Sequence, residues 1–282
     1  PKRHKVSINN RGESKSYKFS VKSTKQESLN EISANFYSEK KIYNYDLINL
    51  NYKHIAKSNI LLPNKSIAFK INLKSNVKEV GYIKGAGDKI PEALKSIGIS
   101  VTELDLSKLE SYNLEKFPSI IMGIRAYNTN SLLKIKNNIL WNYVKNGGNL
   151  IIQYNTSRRL KNNKITPYKI SISRDRVTNE KSIVKFLNPN HKILNYPNKI
   201  SLNDFDNWVQ ERGLYFPNEW GNEFTSVLSM NDINEDEKKG SLLVAYYGKG
   251  TFIYTGLSFF RQLPNGIPGA YKLFVNLISH KR

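Results

Sequence analysis

The sequence predicts an α/β protein built on a doubly wound parallel sheet, preceded by a smaller β-sandwich domain. Three observations support this prediction. From residue 78 the order strand, turn, helix repeats; one of the strands is apolar on both faces; and residues 5–75 hold short β-branched or alternating runs with no helical period. A length of 282 residues accommodates two such domains.

The first domain is expected over residues 1–76. Strand-like runs occur at 5–8, 17–21, 42–50 and 66–73, and Ser, Asn and Lys-rich stretches separate them. Such spacing is typical of an antiparallel, Ig-like β-sandwich, either complete or truncated at its start. Residues 74–78 form the predicted linker.

The α/β domain is expected over residues 77–282. A strand at 80–83 leads through a Gly-rich turn to a helix that begins near Pro91 and ends at Gly98. A helical period over 131–144 ends at a Gly pair. The remaining predicted elements are strands at 99–104, 119–124 and 150–154, an irregular insertion near 157–226, a hairpin of 241–247 with 251–255, and a closing helix at 269–279.

The composition excludes several classes of function. The chain has no Cys, so disulfides, thiolate metal sites and cysteine nucleophiles are absent. The net charge of +21 is spread along the chain, mostly as Lys among Asn, Ile and Ser, and no arginine–aromatic recognition motif accompanies it. We therefore do not expect nucleic acid as a partner, and no apolar run reaches the ~20 residues of a membrane span.

The sequence begins at Pro1, without a methionine or an apolar signal segment. This start favours the interpretation that the chain is a piece of a longer protein. The absence of Cys fits either side of a bacterial membrane, so the compartment stays open. We favour a periplasmic or secreted location.

Six segments carry a resemblance to a known family: GAGDKIPEAL (85–94), GIRAYNT (123–129), GGNLIIQYN (147–155), ISRDRV (172–177), WVQERGLYF (208–216) and YTGLSFFRQLPNGIPGAY (254–271). They resemble the C-terminal region of large PIG-L (LmbE-like) deacetylases of Bacteroidetes. The resemblance implies a flavodoxin-like, class I glutamine-amidotransferase-like domain, preceded by β-sandwich material and, further upstream, by a zinc-dependent sugar N-deacetylase module.

The catalytic residues of that family are missing from this chain. The zinc-binding His-Pro-Asp-Asp motif and His-x-x-His pair do not occur, so zinc is expected only in the upstream module and no cofactor in this chain. The amidotransferase Cys is also missing from the strand end at Gln153–Asn155, the position that we compare with the nucleophile elbow. Thr156 or Ser157 would need a nearby base. We therefore assign no catalytic and no metal-binding residues.

Ligands of doubly wound sheets bind beyond the carboxyl ends of the strands, so the polar residues that follow those strands are the candidate site. These ligand-binding candidates are Gly85, Gly87, Asp88, Arg125, Tyr127, Asn128, Asn155, Arg158 and Arg261.

Structural roles compete with binding at several of these positions. Asp88 is expected first as a helix cap and second as a ligand-binding residue. Arg125 is expected equally as a binding residue and as the ion-pair partner of an acid such as Asp88 or Asp175. Arg174 and Arg176 are expected in structural salt bridges. Residues 204–212 are read first as a helix cap with a core Trp, second as a sugar platform and third as a glycosidase site.

The leading functional hypothesis is a non-catalytic accessory region of a PIG-L-like N-deacetylase, which recognises carbohydrate or mediates assembly with the upstream module. Two alternatives stay open. One is a hydrolase of sugar-linked amides or esters, and the other is a structural or oligomerisation module.

Overall fold

The computed structural model describes residues 3–20 and 28–282, without the side chains of residues 28, 29 and 67. The chain forms two compact units, Pro1–Asn72 and Leu73–Arg282. None of the helices in the described ranges has the length and apolar character needed to cross a membrane.

The described residues of the first unit form three antiparallel strand pairs. Its strands are β1 (Ser28–Ile32), β2 (Phe36–Ser38), β3 (Lys41–Tyr43), β4 (Tyr45–Leu50), β5 (Ser58–Pro63) and β6 (Ser66–Lys70). β1 pairs with β6, β2 with β3 and β4 with β5. Most of the described side chains in these strands are exposed. The Ig-like sandwich stays a prediction.

The predicted runs of this unit coincide with strands only in part. The run at 42–50 covers most of β3 and all of β4, and the run at 66–73 begins with β6. Residues 5–8 and 17–20 form no strand, and residue 21 lies outside the described residues. β1, β2 and β5 lie where we predicted none.

The second unit alternates strands and helices along its first half and its end. Its elements are β7 (Glu79–Ile83), α1 (Ile90–Ser96), β8 (Ser100–Glu103), β9 (Ser119–Met122), α2 (Ala126–Thr129), α3 (Leu133–Lys145), β10 (Asn149–Gln153), β11 (Ile170–Val177), β12 (Val184–Phe186), α4 (Lys192–Asn195), β13 (Gly213–Trp220), β14 (Phe224–Ser226), β15 (Leu228–Met230), β16 (Leu242–Tyr247), β17 (Gly250–Thr255), α5 (Phe259–Gln262) and α6 (Pro268–Ser279). Three 3-10 helices cover Leu106–Ser111, Leu114–Lys116 and Leu202–Phe205.

Seven strands of this unit form one sheet in the order β14-β16-β17-β10-β9-β7-β8. Neighbours from β17 to β8 are parallel, whereas β16 runs antiparallel to both β17 and β14. The predicted α/β class with a mostly parallel sheet is confirmed. Its finer description as flavodoxin-like stays a prediction.

Helix α3 packs on one face of the sheet. Its buried Leu140 and Val144 belong to the same apolar cluster as Leu150 and Ile152 of β10. Ile151 lies between these two residues of β10, so its side chain lies on the opposite face of the sheet and outside this cluster. α6 contacts β9 and β10, and its side chains also lie outside this cluster. Both helices therefore fix β10 at the centre of the sheet.

The predicted irregular insertion, 157–226, folds into short strands beside the sheet. β11 pairs antiparallel with β13, and register shifts interrupt the ladder near Ile172 and Asp175. A backbone bond from the Leu214 N–H to the Gly256 carbonyl connects β13 to the end of β17. The insertion is thereby held next to the carboxyl ends of the parallel strands.

Candidate functional site

A cleft of about 840 Å³ opens beyond the carboxyl ends of β9 and β10. One wall is α2 with the loop that follows β10, and the other is formed by β11 and β13. We call it the basic cleft, because six cationic side chains line it: Arg125, Arg158, Arg159, Lys161, Arg174 and Arg176.

Arg125 occupies a tight turn between β9 and α2. Its backbone is left-handed, with φ 56° and ψ 26°, a conformation that residues other than Gly rarely adopt. Gly123 makes this turn possible, because a Cβ there would lie 2.5 Å from the Tyr82 hydroxyl. The geometry is that of a strand-to-helix elbow, which presents its central side chain above the sheet.

The position of the elbow contradicts the comparison that we made from the sequence. We compared the strand end at Gln153–Asn155 with a nucleophile elbow, but β10 continues into a loop without helix. The tight strand-to-helix turn instead follows β9, and its central residue is an exposed Arg.

The backbone N–H groups around the elbow already have acceptors. Arg125 donates to the Tyr154 carbonyl at 2.8 Å, and Ala126 donates to the Gly123 carbonyl at 3.1 Å. The next N–H, of Tyr127, donates to Asn155 Oδ1 at 2.9 Å. An oxyanion hole needs free donors at this point. The elbow therefore offers the Arg125 guanidinium rather than backbone amides.

Asn128 holds the arginine-bearing loop against α2. Its Nδ2 donates to the Thr156 and Arg158 carbonyls at 3.1 and 3.0 Å, and its Oδ1 accepts from the Thr156 N–H at 2.9 Å. Asn128 is buried, so these bonds are shielded from water. They position Arg158 and Arg159 at the mouth of the basic cleft.

The opposite wall carries Arg174 and Arg176. The two residues are separated by one position on β11 and both line the basic cleft. Ser173 fixes this irregular stretch, because its hydroxyl donates to the Phe216 carbonyl at 2.7 Å and accepts from the Asp175 N–H at 2.8 Å.

Two tyrosines form an aromatic part of the site. The rings of Tyr154 and Tyr215 stack at 6.0 Å with an interplanar angle of 9°, and Phe260 lies 5.3 Å from Tyr154. Burial raises the pKa of the Tyr154 hydroxyl, while the charges of Arg125 and Arg261 act against this rise. Tyr215 lines the basic cleft and is partly exposed.

Buried Tyr254 connects the two walls. Its hydroxyl accepts from the Asn155 N–H at 3.3 Å and donates to the Tyr215 carbonyl at 3.1 Å. The separation of the walls is thus set by the central strand β17.

The carboxylate that lines the basic cleft, Glu211, has a cationic partner. Arg261 Nε donates to Glu211 Oε1 at 2.8 Å, and the Arg261 guanidinium also lies over the Phe260 ring. Within the described ranges, no ion pair involves Arg125 or any arginine of the loop after β10 or of β11. Their positive charges are uncompensated.

The ion pairs expected for Arg125, with Asp88 or Asp175, and for Arg174 and Arg176 are therefore wrong within the described residues. Asp88 does not pair with Arg125, because its carboxylate accepts from the Tyr82 hydroxyl and from the N–H groups of Ile90 and Ile124. The structural salt bridges expected for Arg174 and Arg176 are absent from the described residues, since both side chains lie in the basic cleft.

The structure separates the nine candidate ligand-binding residues. Arg125, Asn128 and Arg158 line the basic cleft, and Arg261 contacts its lining through Glu211. Tyr127 and Asn155 are buried, and Asn155 supports the elbow from below.

Gly85, Gly87 and Asp88 lie outside the lining of the basic cleft. A Cβ on Gly85 would approach the Ile124 carbonyl oxygen to 2.1 Å, and Gly87 has φ 105°. The turn after β7 is therefore packed against the elbow. Asp88 Oδ1 accepts from the N–H of Ile90, the first residue of α1, at 3.0 Å.

The segment 204–212 has the structural role that we placed first. Ser201 and Asp204 form a capping box, and Trp208 is buried, with its ring stacked 5.4 Å from Phe205. Arg212 is also buried and donates to the carbonyls of Ser182 and Phe205.

The described residues hold no group of three or more His, Asp or Glu side chains suited to a metal ion. The Thr156 hydroxyl, one of two nucleophiles that we considered, donates to the Arg158 carbonyl at 2.9 Å. His191 and His280 stack against each other at 5.6 Å, and neither lines the basic cleft.

The candidate ligand-binding residues did not include Arg159, Lys161 or Tyr215, which line the basic cleft. The signal that could have found the first two is the run of cations directly after β10. Tyr215 lies within a β-strand, and its place at the site depends on how the insertion folds back onto the sheet.

Comparisons with known proteins yield structural neighbours only. No family model matches the chain, and no curated protein matches it. A GMP synthase component from Thermoplasma acidophilum is similar to it with 10% identity and a TM-score of 0.45, covering 73% of this chain and 94% of that chain.

Two β-galactosidases are also similar in structure. The enzyme from Rahnella sp. R3 has 12% identity and a TM-score of 0.42, and covers 70% of this chain. The enzyme from Bacillus circulans sp. alkalophilus has 11% identity and a TM-score of 0.43, and covers 73%. The match spans 31% of each β-galactosidase.

Proposed function

We propose that the second unit is a non-catalytic carbohydrate-binding domain that uses the basic cleft. In this proposal the frame is flavodoxin-like and class I glutamine-amidotransferase-like. The order β8-β7-β9-β10-β17 supports it, because among these parallel strands it is second, first, third, fourth, fifth in chain order, as in flavodoxin-like sheets.

The observation that carries the proposal is the elbow at Arg125. An acyl-transfer enzyme needs a nucleophile, a base that hydrogen-bonds to it and free donors for the oxyanion. At this elbow the side chain is a guanidinium, and the adjacent N–H groups have protein acceptors. A guanidinium binds and orients polar groups but does not attack a carbonyl.

Saccharide as the ligand class is supported by the combination of donors and an aromatic ring. Sugars present hydroxyl and other oxygen atoms around their edges and C–H groups on their faces. The arginines of the basic cleft supply planar sets of N–H donors, and the stacked Tyr215 ring supplies an apolar surface.

We further propose that this chain is an accessory region of a PIG-L-like sugar N-deacetylase. The upstream deacetylase module would bind the zinc and perform the hydrolysis. The basic cleft would hold another part of the same glycan, which raises the effective concentration of the substrate at the catalytic module.

Isothermal titration calorimetry of the full chain against oligosaccharides, both N-acetylated and unmodified, tests the proposal. We expect binding to at least one saccharide class, and Tyr215→Ala should weaken it because the sugar loses its stacking surface. Tyr246→Ala is the matched control, because Tyr246 is an exposed Tyr on β16 that does not line the basic cleft.

Release of acetate, ammonia or new reducing ends is measured in the same samples. Binding without release supports the accessory role. Turnover that Arg125→Ala abolishes, in a variant that remains folded, would replace the proposal with the hydrolase of sugar-linked amides or esters.

Assembly is a second candidate function, and hairpin β4–β5 of the first unit favours it. Its apolar side chains are exposed on both faces: Leu47 and Leu61 are 57% and 62% exposed, and Ile48 and Ile60 are 41% and 42% exposed. An isolated two-stranded hairpin is marginally stable, so pairing with a second copy would bury this surface. Light scattering that shows a monomer at all concentrations would exclude such self-association.

A further inference from the structure

The arginines of this chain are concentrated in the basic cleft, whereas the lysines are not. The sequence has 10 Arg and 34 Lys. Five of the arginines line the basic cleft, together with a single lysine, Lys161. A random distribution of cations would place far more Lys than Arg there. The net charge of the chain therefore does not explain the composition of the site.

Arg and Lys differ in what they bind. The guanidinium is planar and can donate two parallel hydrogen bonds to a carboxylate, sulfate or phosphate, while the ammonium acts as a point charge. The presence of Arg at five positions of one cleft points to ligand oxygens that are themselves anionic.

Among the described residues, no carboxylate forms an ion pair with these arginines. Glu211 is the carboxylate among the lining residues, and Arg261 already pairs with it at 2.8 Å. Asp175 lies between Arg174 and Arg176 in sequence but does not line the basic cleft. Cations that line one cleft repel one another, so a bound anion would reduce this repulsion.

The cations stand on two separate walls. Arg125, Arg158 and Arg159 belong to the wall of α2 and the loop after β10, and Arg174 and Arg176 belong to β11. Asn128 and Tyr254 fix the two walls by hydrogen bonds that do not depend on a ligand. At about 840 Å³ the space matches pockets for drug-sized ligands rather than for one inorganic anion.

We infer that the basic cleft binds an acidic saccharide, one whose sugar units carry at least two carboxylate, sulfate or phosphate groups. This inference rests on the proposed carbohydrate function and specifies its ligand class. One anionic group would pair with Arg174 and Arg176, another with Arg125 and the loop arginines, and Tyr215 would contact the sugar between them.

The test uses saccharides that share a backbone and differ in charge. Oligogalacturonate is compared with its methyl ester, and dextran sulfate with dextran, by calorimetry on the full chain at two salt concentrations. Polyphosphate and duplex DNA serve as polyanions without a glycan backbone. The variant Arg174→Gln/Arg176→Gln removes two charges from the basic cleft, and Lys95→Gln/Lys199→Gln removes two exposed charges elsewhere.

We expect the acidic saccharides to bind and their neutral counterparts not to bind. The double arginine variant should weaken binding by at least about tenfold, since two charge-assisted contacts are lost, and the lysine control by less than about twofold. Unchanged melting temperatures of both variants show that the fold is retained.

Two other results would overturn the inference in different ways. Equal binding of neutral and acidic saccharides, unaffected by the arginine variant, would leave the carbohydrate function in place and remove the acidic ligand. Polyphosphate or duplex DNA binding as tightly as any saccharide, or no binding by any probe, would overturn the inference together with the carbohydrate function.

Discussion

Acidification should destabilise the second unit through His280. This residue is 2% exposed, and neither of its ring nitrogens has a hydrogen-bond partner in the described part of the chain. Its ring stacks on His191 at 5.6 Å and on Tyr246 at 6.1 Å. Burial lowers the pKa of His280 from 6.5 to about 4, and the nearby His191 and Lys192 act in the same direction.

The sign of the effect follows from proton binding. Between pH 6.5 and 4 the unfolded chain protonates this imidazole while the folded chain does not, so stability falls as the pH falls. The shift of the His280 pKa from 6.5 to about 4 corresponds to a total loss of about 3 kcal/mol in the free energy of unfolding. About 2 kcal/mol of this loss occurs above pH 5. At pH 7.5 the imidazole is neutral in both the folded and the unfolded chain, so its titration does not change the free energy of unfolding there.

Urea denaturation at pH 7.5, 6.5, 5.5 and 5 measures the effect. All three Trp residues belong to the second unit, so Trp fluorescence reports its unfolding. His280→Phe keeps an aromatic ring in place and removes the titration, so the variant should lose less stability on acidification than the wild type. His54→Phe, at an exposed position, is the control. Parallel pH profiles for the wild type and His280→Phe would refute the reasoning.

Three further substitutions test the supports of the site by urea denaturation at pH 7.5. Gly85→Ala should destabilise the second unit by about 1–3 kcal/mol, because the new Cβ would lie 2.1 Å from the Ile124 carbonyl oxygen; Ala86→Gly next to it should cost less. Asp88→Asn should lower the free energy of unfolding by about 1–3 kcal/mol. One carboxylate oxygen of Asp88 accepts from the Ile90 N–H and the other from the Ile124 N–H, and an amide has only one oxygen, so one of these bonds is lost. Arg212→Met should cost a similar amount by leaving two buried carbonyls without their donor. A change below about 0.5 kcal/mol in any of them would contradict the role assigned to that residue.

Local pattern was sufficient to predict the parallel half of the fold. The apolar period of α3 and the Gly pair after it predicted a helix over 131–144, and the structure has it at Leu133–Lys145. Residues 150–154 were predicted as a strand, and β10 occupies Asn149–Gln153. In both cases burial on a sheet imposes a period that can be read along the chain.

Only one wall of the basic cleft, formed by α2 and the loop after β10, could be predicted from the sequence. Arg125 and Arg158 follow strands of the parallel sheet, so the rule for carboxyl ends identified them. Arg174 and Tyr215 reach the same place because β11 and β13 fold back beside β17, a tertiary arrangement with no local period. Tyr127 and Asn155 follow the same strands but are buried. The position of a residue after a strand therefore does not show whether its side chain is exposed in the site or buried beneath it.

The elbow at Arg125 explains why introducing a nucleophile at this position would not create an enzyme. Arg125→Cys would place a thiol above the sheet, in the left-handed conformation that the turn already imposes. The N–H groups of the elbow would still donate to Tyr154, Gly123 and Asn155, so no oxyanion donor would be free, and no His lines the basic cleft to act as base. We expect this variant to react with iodoacetamide but to release no ammonia from glutamine. Glutamine hydrolysis by the variant would show that the donors of the elbow can be released, and that a single side chain separates the proposed binding role of this site from catalysis.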